Sequence, residues 1–412
     1  MLDLIAGLIT LTALFAYVNH RFIGLPTTIG VMLVALVFSL VLVGLDAVGI
    51  GHVGALASRW VGEVDFYAVV MDGMLSLLLF AGAMHVKLDD LSSHKWPIGI
   101  MASVGVVAST FLAGAGTYLV LDLIGLTIPF IYCLVFGALI SPTDPIAVLG
   151  ILKSANAPKS LEVKIVGESL FNDGVAVVVF LILAGIATGQ QEFSASGAAI
   201  LFVEEAVGGA VLGLVLGWIT FAMIRSVDQY LIEVLLTLAL VMGGYALASA
   251  IHFSGPIAMV VAGLMIGNPG RARAMSDSTR DHLDTFWELL DELLNAVLFV
   301  LIGLEVVVLT FSGDYLLAGL ILIPYVLVVR FICVGTPIQI MRKVFAFDFA
   351  PHAVKILTWG GIRGGISVAL ALSLPPGPER EVLVCITYII VLFSIAAQGL
   401  TIGALVRKTS GV

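Results

Sequence analysis

The chain is a near-continuous series of long apolar runs, and about thirteen of them approach the roughly 20 residues that a helix needs to cross a bilayer. They fall at about 2–19, 23–43, 65–86, 96–121, 128–152, 161–187, 197–224, 230–251, 255–268, 283–311, 314–341, 351–374 and 381–406, the ninth being short. A membrane β-barrel would alternate apolar and polar residues over about ten positions; these runs do not alternate. Of 412 residues, 60% are hydrophobic and 11% charged, whereas a soluble domain carries about a quarter charged residues. That composition excludes an ordinary soluble domain, a disordered chain and a disulfide scaffold. The expected fold class is an all-α polytopic membrane protein embedded in a lipid bilayer, with the stretch 44–64 as a surface excursion.

The formal net charge of −9 leaves no basic face for nucleic acid. Cys133, Cys333 and Cys385 all sit inside apolar runs, which reads as packing rather than disulfide or metal chemistry. The N-terminus, Met1-Leu2-Asp3-Leu4, lacks the basic region of a signal peptide, so the first run reads as a retained helix. The chain ends six residues after Val406, so no regulatory tail is expected. With thirteen spans and the N-terminus outside, fourteen of the nineteen Lys and Arg fall in cytoplasmic loops, among them Lys153, Lys159, Lys164, Arg271, Arg273 and Arg280. Outside loops carry Arg59 and Arg380. This asymmetry puts the N-terminus outside and the C-terminus in the cytoplasm.

An odd span count permits two six-helix repeats, segments 1–6 and 8–13, joined by segment 7 and therefore of inverted topology. Inverted repeats with broken helices in corresponding positions mark transporters. The corresponding segments 5 and 12 are the two most interrupted in the chain. Segment 5 contains Ser141-Pro142-Thr143-Asp144-Pro145. Two prolines three apart do not both fit a regular helix, and the freed carbonyls must find partners or line a wet cavity. Segment 12 contains Trp359-Gly360-Gly361-Ile362-Arg363-Gly364-Gly365, four glycines around one arginine.

Segment 6 contains Gly167-Glu168-Ser169-Leu170-Phe171-Asn172-Asp173-Gly174. Glu168 and Asn172, and Ser169 and Asp173, are i,i+4 pairs that form one polar stripe. Such a stripe must face protein or water, not lipid. If segments 5 and 6 are adjacent, Asp144 and Asp173 converge. Two carboxyls with hydroxyls and freed carbonyls suit a hard cation such as Na⁺, and a carboxyl held away from water can take a proton or a cation in turn. Arg330 in segment 11 and Arg363 need partners at membrane depth, and Glu168 is the obvious carboxylate for one of them. Lys355, near a helix start, is expected to snorkel. The acids Glu204, Glu205, Glu233, Glu288, Asp291 and Glu292 are candidates for an access funnel or a subunit contact. His85 and His94 are candidates for tuning a pH response.

The Thr-Asp-Pro of segment 5, the Gly-Glu-Ser-Leu-Phe-Asn-Asp-Gly of segment 6 and the Gly-Gly-Ile-Arg-Gly-Gly of segment 12 resemble the monovalent cation/proton antiporters of the sodium/proton exchanger family, in its bacterial and archaeal branch. The resemblance implies a homodimer with no cofactor. It implies a dimerisation domain over 1–90 and 191–312, and a core transport domain over 91–190 and 313–412. It makes Asp173 the ion- and proton-binding carboxylate, with Na⁺ at Asp173 and Asp144, and gives Thr143, Ser169 and Asn172 to the site. Asn172 stands where electrogenic relatives carry a second Asp, which implies one-for-one exchange. Glu168 and Arg330 match an ion pair between segments 6 and 11, and Arg363 matches a core arginine. Some relatives carry an acid in segment 3, but Leu79-Phe80-Ala81-Gly82 has none, so no ligand is expected there.

The resulting expectation is a sodium/proton antiporter of a prokaryotic inner membrane, not an enzyme. Three alternatives stay open at this point. One is an antiporter that prefers K⁺ or Li⁺. Another is an intramembrane aspartyl protease using Asp144 and Asp173, and the third is a cation channel.

Overall fold

In the computed structural model, residues 2–48, 53–62, 64–145, 152, 159–190, 194–271, 274–309, 311–345, 347 and 349–410 are described. Lys153, Arg273 and the end of segment 5 lie outside them. The chain runs through α1 (Leu2–Ile23), α2 (Thr27–Ala47) and α3 (Val53–Gly62), the last within the stretch 44–64. Next come α4 (Ala68–Met84), the short α5 (Leu88–Ser93), α6 (Lys95–Ile124) and α7 (Phe130–Ile140). The middle holds α8 (Lys159–Ala187), α9 (Ala195–Arg225), α10 (Tyr230–Ala250), α11 (Gly255–Gly270) and α12 (Asp277–Glu305). The chain closes with α13 (Gly313–Phe345), α14 (Ala353–Trp359), α15 (Gly365–Leu372) and α16 (Pro378–Thr409).

Among the described residues, eight helices are long and apolar enough to cross a membrane unaided, and α4, α7 and α11 are shorter apolar helices. With α12 and the pair α14–α15, the thirteen expected segments are all present. Segment 12 is two half-helices, α14 and α15, separated at Gly360–Gly364. Segment 5 is regular only as α7 and becomes irregular from Ser141 to Pro145. The two breaks fall in segments 5 and 12, the two segments expected to correspond.

Local chemistry sets the boundaries. Gly125 ends α6 in the left-handed region at φ +85°, where glycine meets no Cβ penalty. Ser194, Ser254 and Ser276 cap α9, α11 and α12 by accepting from the backbone N–H groups of Gly197, Ile257 and Thr279. Segment 10 therefore begins at Asp277, earlier than the apolar run from 283 indicates, because its first turns are charged. Lys159, at the start of α8, sits 2.9 Å from Asp90 of α5; its donated hydrogen bond holds that exposed carboxyl below its ordinary value. Lys164 is buried and lies 4.4 Å from the Phe349 ring centre, and Lys355 is exposed as expected.

The helices sort into two groups by packing. In one, α6 packs on α7, α8 and α13, α7 on α8, and α13 and α15 on α16. In the other, α9 packs on α10 and α11, α4 on α11, and α12 on α1, α2, α4 and α10. The seam between them is formed by α8 against α9 and α11, and by α15 against α12 and the first turns of α4. Hydrophobicity cannot drive helices together in lipid, so close approach over small residues does that work. A Cβ on Gly137 would strike the Thr110 carbonyl of α6 and stand 3.0 Å from the Gly114 nitrogen. Gly263 and Gly267, one turn apart on α11, meet the backbone of α4 at Phe80 and Met84 in the same way.

Gly137→Leu should therefore push α6 from α7, with an overpacking cost of roughly 1–3 kcal/mol or more. The thermal midpoint in detergent should fall clearly, whereas Gly243→Leu, where a Cβ meets nothing within 4 Å, should leave it unchanged or raised. Equal midpoints for the two variants would contradict this packing.

Candidate functional site

The two broken segments cross, and each supplies what the other lacks. The Asp144 N–H donates to the Ile362 carbonyl at 2.7 Å, a backbone bond from one break to the other. Arg363 reaches back from the second break and donates through Nη1 to the carbonyls of Ser141 (2.5 Å) and Pro142 (2.9 Å). Those carbonyls follow the C-terminus of α7, the negative end of its dipole, where a guanidinium is stabilised. The Asp144 carboxyl in turn lies against Gly364, at the N-terminus of α15, with Oδ2 where a Cβ on Gly364 would stand. A negative group at that end complements the dipole in the same way. The Arg363 N–H donates to Ser394 Oγ at 2.9 Å, and Gln398 Nε2 caps the last carbonyl of α14 at Trp359, also 2.9 Å. Ser394 donates to Gln398 Oε1 at 2.5 Å, which links both to one wide turn in α16.

The polar stripe of α8 faces this crossing. Glu168, Ser169, Asn172 and Asp173 are all buried. Asn172 grips Thr143 from both sides: Nδ2 donates to Thr143 Oγ1 at 2.9 Å, and Oδ1 accepts from the Thr143 N–H at 3.4 Å. Ser169 donates to the Thr143 carbonyl. The irregular backbone at 141–145 thus has its polar groups met by the stripe and by Arg363, as membrane depth requires. Asp144 and Asp173 lie within electrostatic range of one another, so the expected convergence is present. The carbonyls of Ser141 and Pro142 find their partner in Arg363, one of the two outcomes expected at the break, and Asn172 clamps the break.

Glu168 pairs with Arg330, not Arg363. Arg330 Nη2 donates to Glu168 Oε2 at 2.9 Å, and Nη1 pairs with Oε1, a two-pronged contact between buried groups. Gly361 makes room for the guanidinium, because a Cβ there would stand 2.6 Å from Nε. The pair therefore fastens α8 to α13 beside the second break.

A family model described as the transmembrane region of sodium/hydrogen exchangers matches residues 9–408. The chain belongs to the sodium/hydrogen exchanger family. It is 57% identical over 410 residues to the Na⁺/H⁺ antiporter NhaP of Pseudomonas aeruginosa, a match covering 99% of this chain and 97% of that protein. It is 36% identical over 380 residues to the Na⁺/H⁺ antiporter NhaH of Halobacillus dabanensis, covering 90% and 91%. Its fold is similar to that of the sodium proton antiporter MjNhaP1 from Methanocaldococcus jannaschii at pH 8, with a TM-score of 0.77 at 20% identity, over 100% of this chain and 99% of that one.

The remaining candidates in this exchanger-family chain divide clearly. Glu204, Glu288 and Glu292 are exposed, Glu205 and Asp291 are half-buried, and Glu233 is fully buried. Of these, Asp291 lies within electrostatic range of Asp144. His85 and His94 each place Nδ1 against a carbonyl one turn back, at 2.8 Å and 3.0 Å. The three cysteines are buried and free. In segment 3, Leu79, Phe80 and Ala81 are buried apolar packing. Sequence reasoning missed Ser394 and Gln398, although an i,i+4 polar pair in the apolar run 381–406 is a signal of the same kind as the α8 stripe.

Removing one partner of a buried pair strands the other, at about 3–5 kcal/mol. Glu168→Ala should therefore lower the thermal midpoint sharply, and Glu168→Leu combined with Arg330→Met should recover part of the loss. A double variant that melts no higher than the worse single variant would show that the pair does not carry this part of the fold.

Proposed function

We propose that this chain is a secondary-active sodium/proton antiporter of a bacterial inner membrane, with the N-terminus outside and the C-terminus in the cytoplasm. One Na⁺ exchanges for one proton by alternating access, and the two compete for Asp173. The observation that carries the reading is the buried Asp173, set beside Asp144 where two crossed half-helix ends meet a polar stripe. Asp144, Thr143, Ser169 and Asn172 complete an oxygen-rich site around it. The strong identity to a relative named as a Na⁺/H⁺ antiporter supports the cargo assignment.

One-for-one exchange follows from the neighbours. Asn172 carries no charge, and Glu168 is held in its pair with Arg330. The exchanging carboxyl of the stripe is then Asp173, while Asp144 shapes the site from the α15 N-terminus. The carboxylate holds a cation or a proton in turn. Either load neutralises it, and the bare anion is too costly to carry through an apolar passage. The core domain (91–190 and 313–412) moves against the dimerisation domain (1–90 and 191–312), and two copies associate through the latter. The two packing groups of helices support that division.

In proteoliposomes loaded with a pH dye, Asp173→Asn should abolish Na⁺-driven proton flux while the protein keeps its thermal midpoint. Substantial flux in that variant would overturn the mechanism. A membrane potential imposed with valinomycin should leave the unaltered exchange rate unchanged. A steep dependence on potential would refute one-for-one exchange and make Asp144 a second proton carrier. Na⁺, Li⁺ and K⁺ supplied in turn rank the cations.

A further inference from the structure

We infer that Asn295, with Asp291 one turn before it, forms a second cation station on α12, across the seam from Asp144, where the amide oxygen of Asn295 is a ligand for Na⁺ on its way to the central site. The inference rests on the antiport reading above. Asn295 is buried, only 1% exposed, in the middle of a membrane-crossing helix. Its Nδ2 donates to the Asp291 carbonyl at 2.8 Å, which fixes which way the amide points. Its Oδ1 has no hydrogen-bond partner among the described residues. Buried acceptors are almost always satisfied, so an orphan at membrane depth calls for a partner of another kind. A carbonyl-type oxygen without a donor is a hard ligand of the sort Na⁺ takes.

The face of α12 that carries this oxygen is the one turned to the site. Asp291, Asn295 and Leu298 follow at i, i+4 and i+7, so they share one side of the helix. Leu298 packs on the start of α15: its Cγ lies 2.9 Å from where a Cβ on Gly365 would stand. The preceding residue, Gly364, is the one against which the Asp144 carboxyl lies. At the other end of the row, Asp291 is within electrostatic range of Asp144. On α12, Glu288 and Glu292 are exposed, Asp291 is half-buried and Asn295 is buried. The acidic groups beside Asn295 would raise the local concentration of cations.

The station also differs from the central site in its attachment. α12 packs with α1, α2, α4 and α10, whereas Asp144 and Asp173 belong to the other group of helices. A ligand on α12 serves the cation only while the two groups are in register, and it is lost when they slide. Asn295 therefore governs how readily Na⁺ loads, not whether Asp173 exchanges it for a proton.

The test compares the unaltered protein with Asn295→Leu, Asn295→Ser and Asp173→Asn, reading Na⁺ binding by calorimetry in detergent at alkaline pH and Na⁺-driven proton flux in proteoliposomes. Asn295→Leu keeps the branched outline and removes the oxygen, so its Kd and KM for Na⁺ should rise by about tenfold or more, with maximal rate within about twofold. Asn295→Ser restores an acceptor and should fall between. Unchanged Kd and KM in both variants overturn the station. A loss of maximal rate and melting temperature at constant KM also overturns it, in favour of packing alone. Absence of Na⁺-driven flux in the unaltered protein is a different result, which overturns the antiport reading itself.

Discussion

The structure depends on the way two interrupted helices satisfy each other. A break at membrane depth exposes carbonyls and N–H groups where there is no water to meet them. Here the Asp144 N–H is met by the Ile362 carbonyl. The Ser141 and Pro142 carbonyls are met by Arg363, and the α15 N-terminus has the Asp144 carboxyl beside it. The charges are reciprocal: a cation from the second break sits at the negative end of α7, and an anion from the first break sits at the positive end of α15. These contacts between the two breaks fix where Asp144 stands.

The remaining framework holds Asp173 to that crossing. Asn172 and Ser169 bind Thr143, and Glu168 one turn earlier is tied to Arg330. All of these contacts lie within one packing group, so they travel together if that group moves. At the seam to the other group, Gly174 meets Ile257 and Gly365 meets Leu298, and a buried hydrogen bond from the Tyr388 hydroxyl to the Ile302 carbonyl joins α16 to α12.

The apolar runs made the thirteen segments legible, because nothing but lipid explains runs of that length. The breaks were legible because Pro142, Pro145 and the Gly360–Gly365 cluster contradict helix inside such runs. The i,i+4 spacing marked the α8 stripe, and the scarcity of buried charge narrowed the partners of Glu168 to two arginines. What sequence left open was which arginine, and what the other one does. Arg363 binds backbone carbonyls, which every residue has, so no side chain marks its target. The start of α12 was hidden because its first turns are charged, and hydropathy sees only apolar helix. Asn295 was invisible for a related reason: one amide in an apolar run is unremarkable until its oxygen is found without a donor.

The proposed coupling requires that one buried carboxyl, Asp173, hold either a cation or a proton. Calorimetric Na⁺ titration in two buffers of different ionisation enthalpy measures protons released per ion bound. Near the midpoint of the transport pH profile, release should approach one proton per Na⁺ as pH falls, and there should be none in Asp173→Asn because Na⁺ no longer binds. Na⁺ binding of full affinity with no proton release at any pH would contradict it.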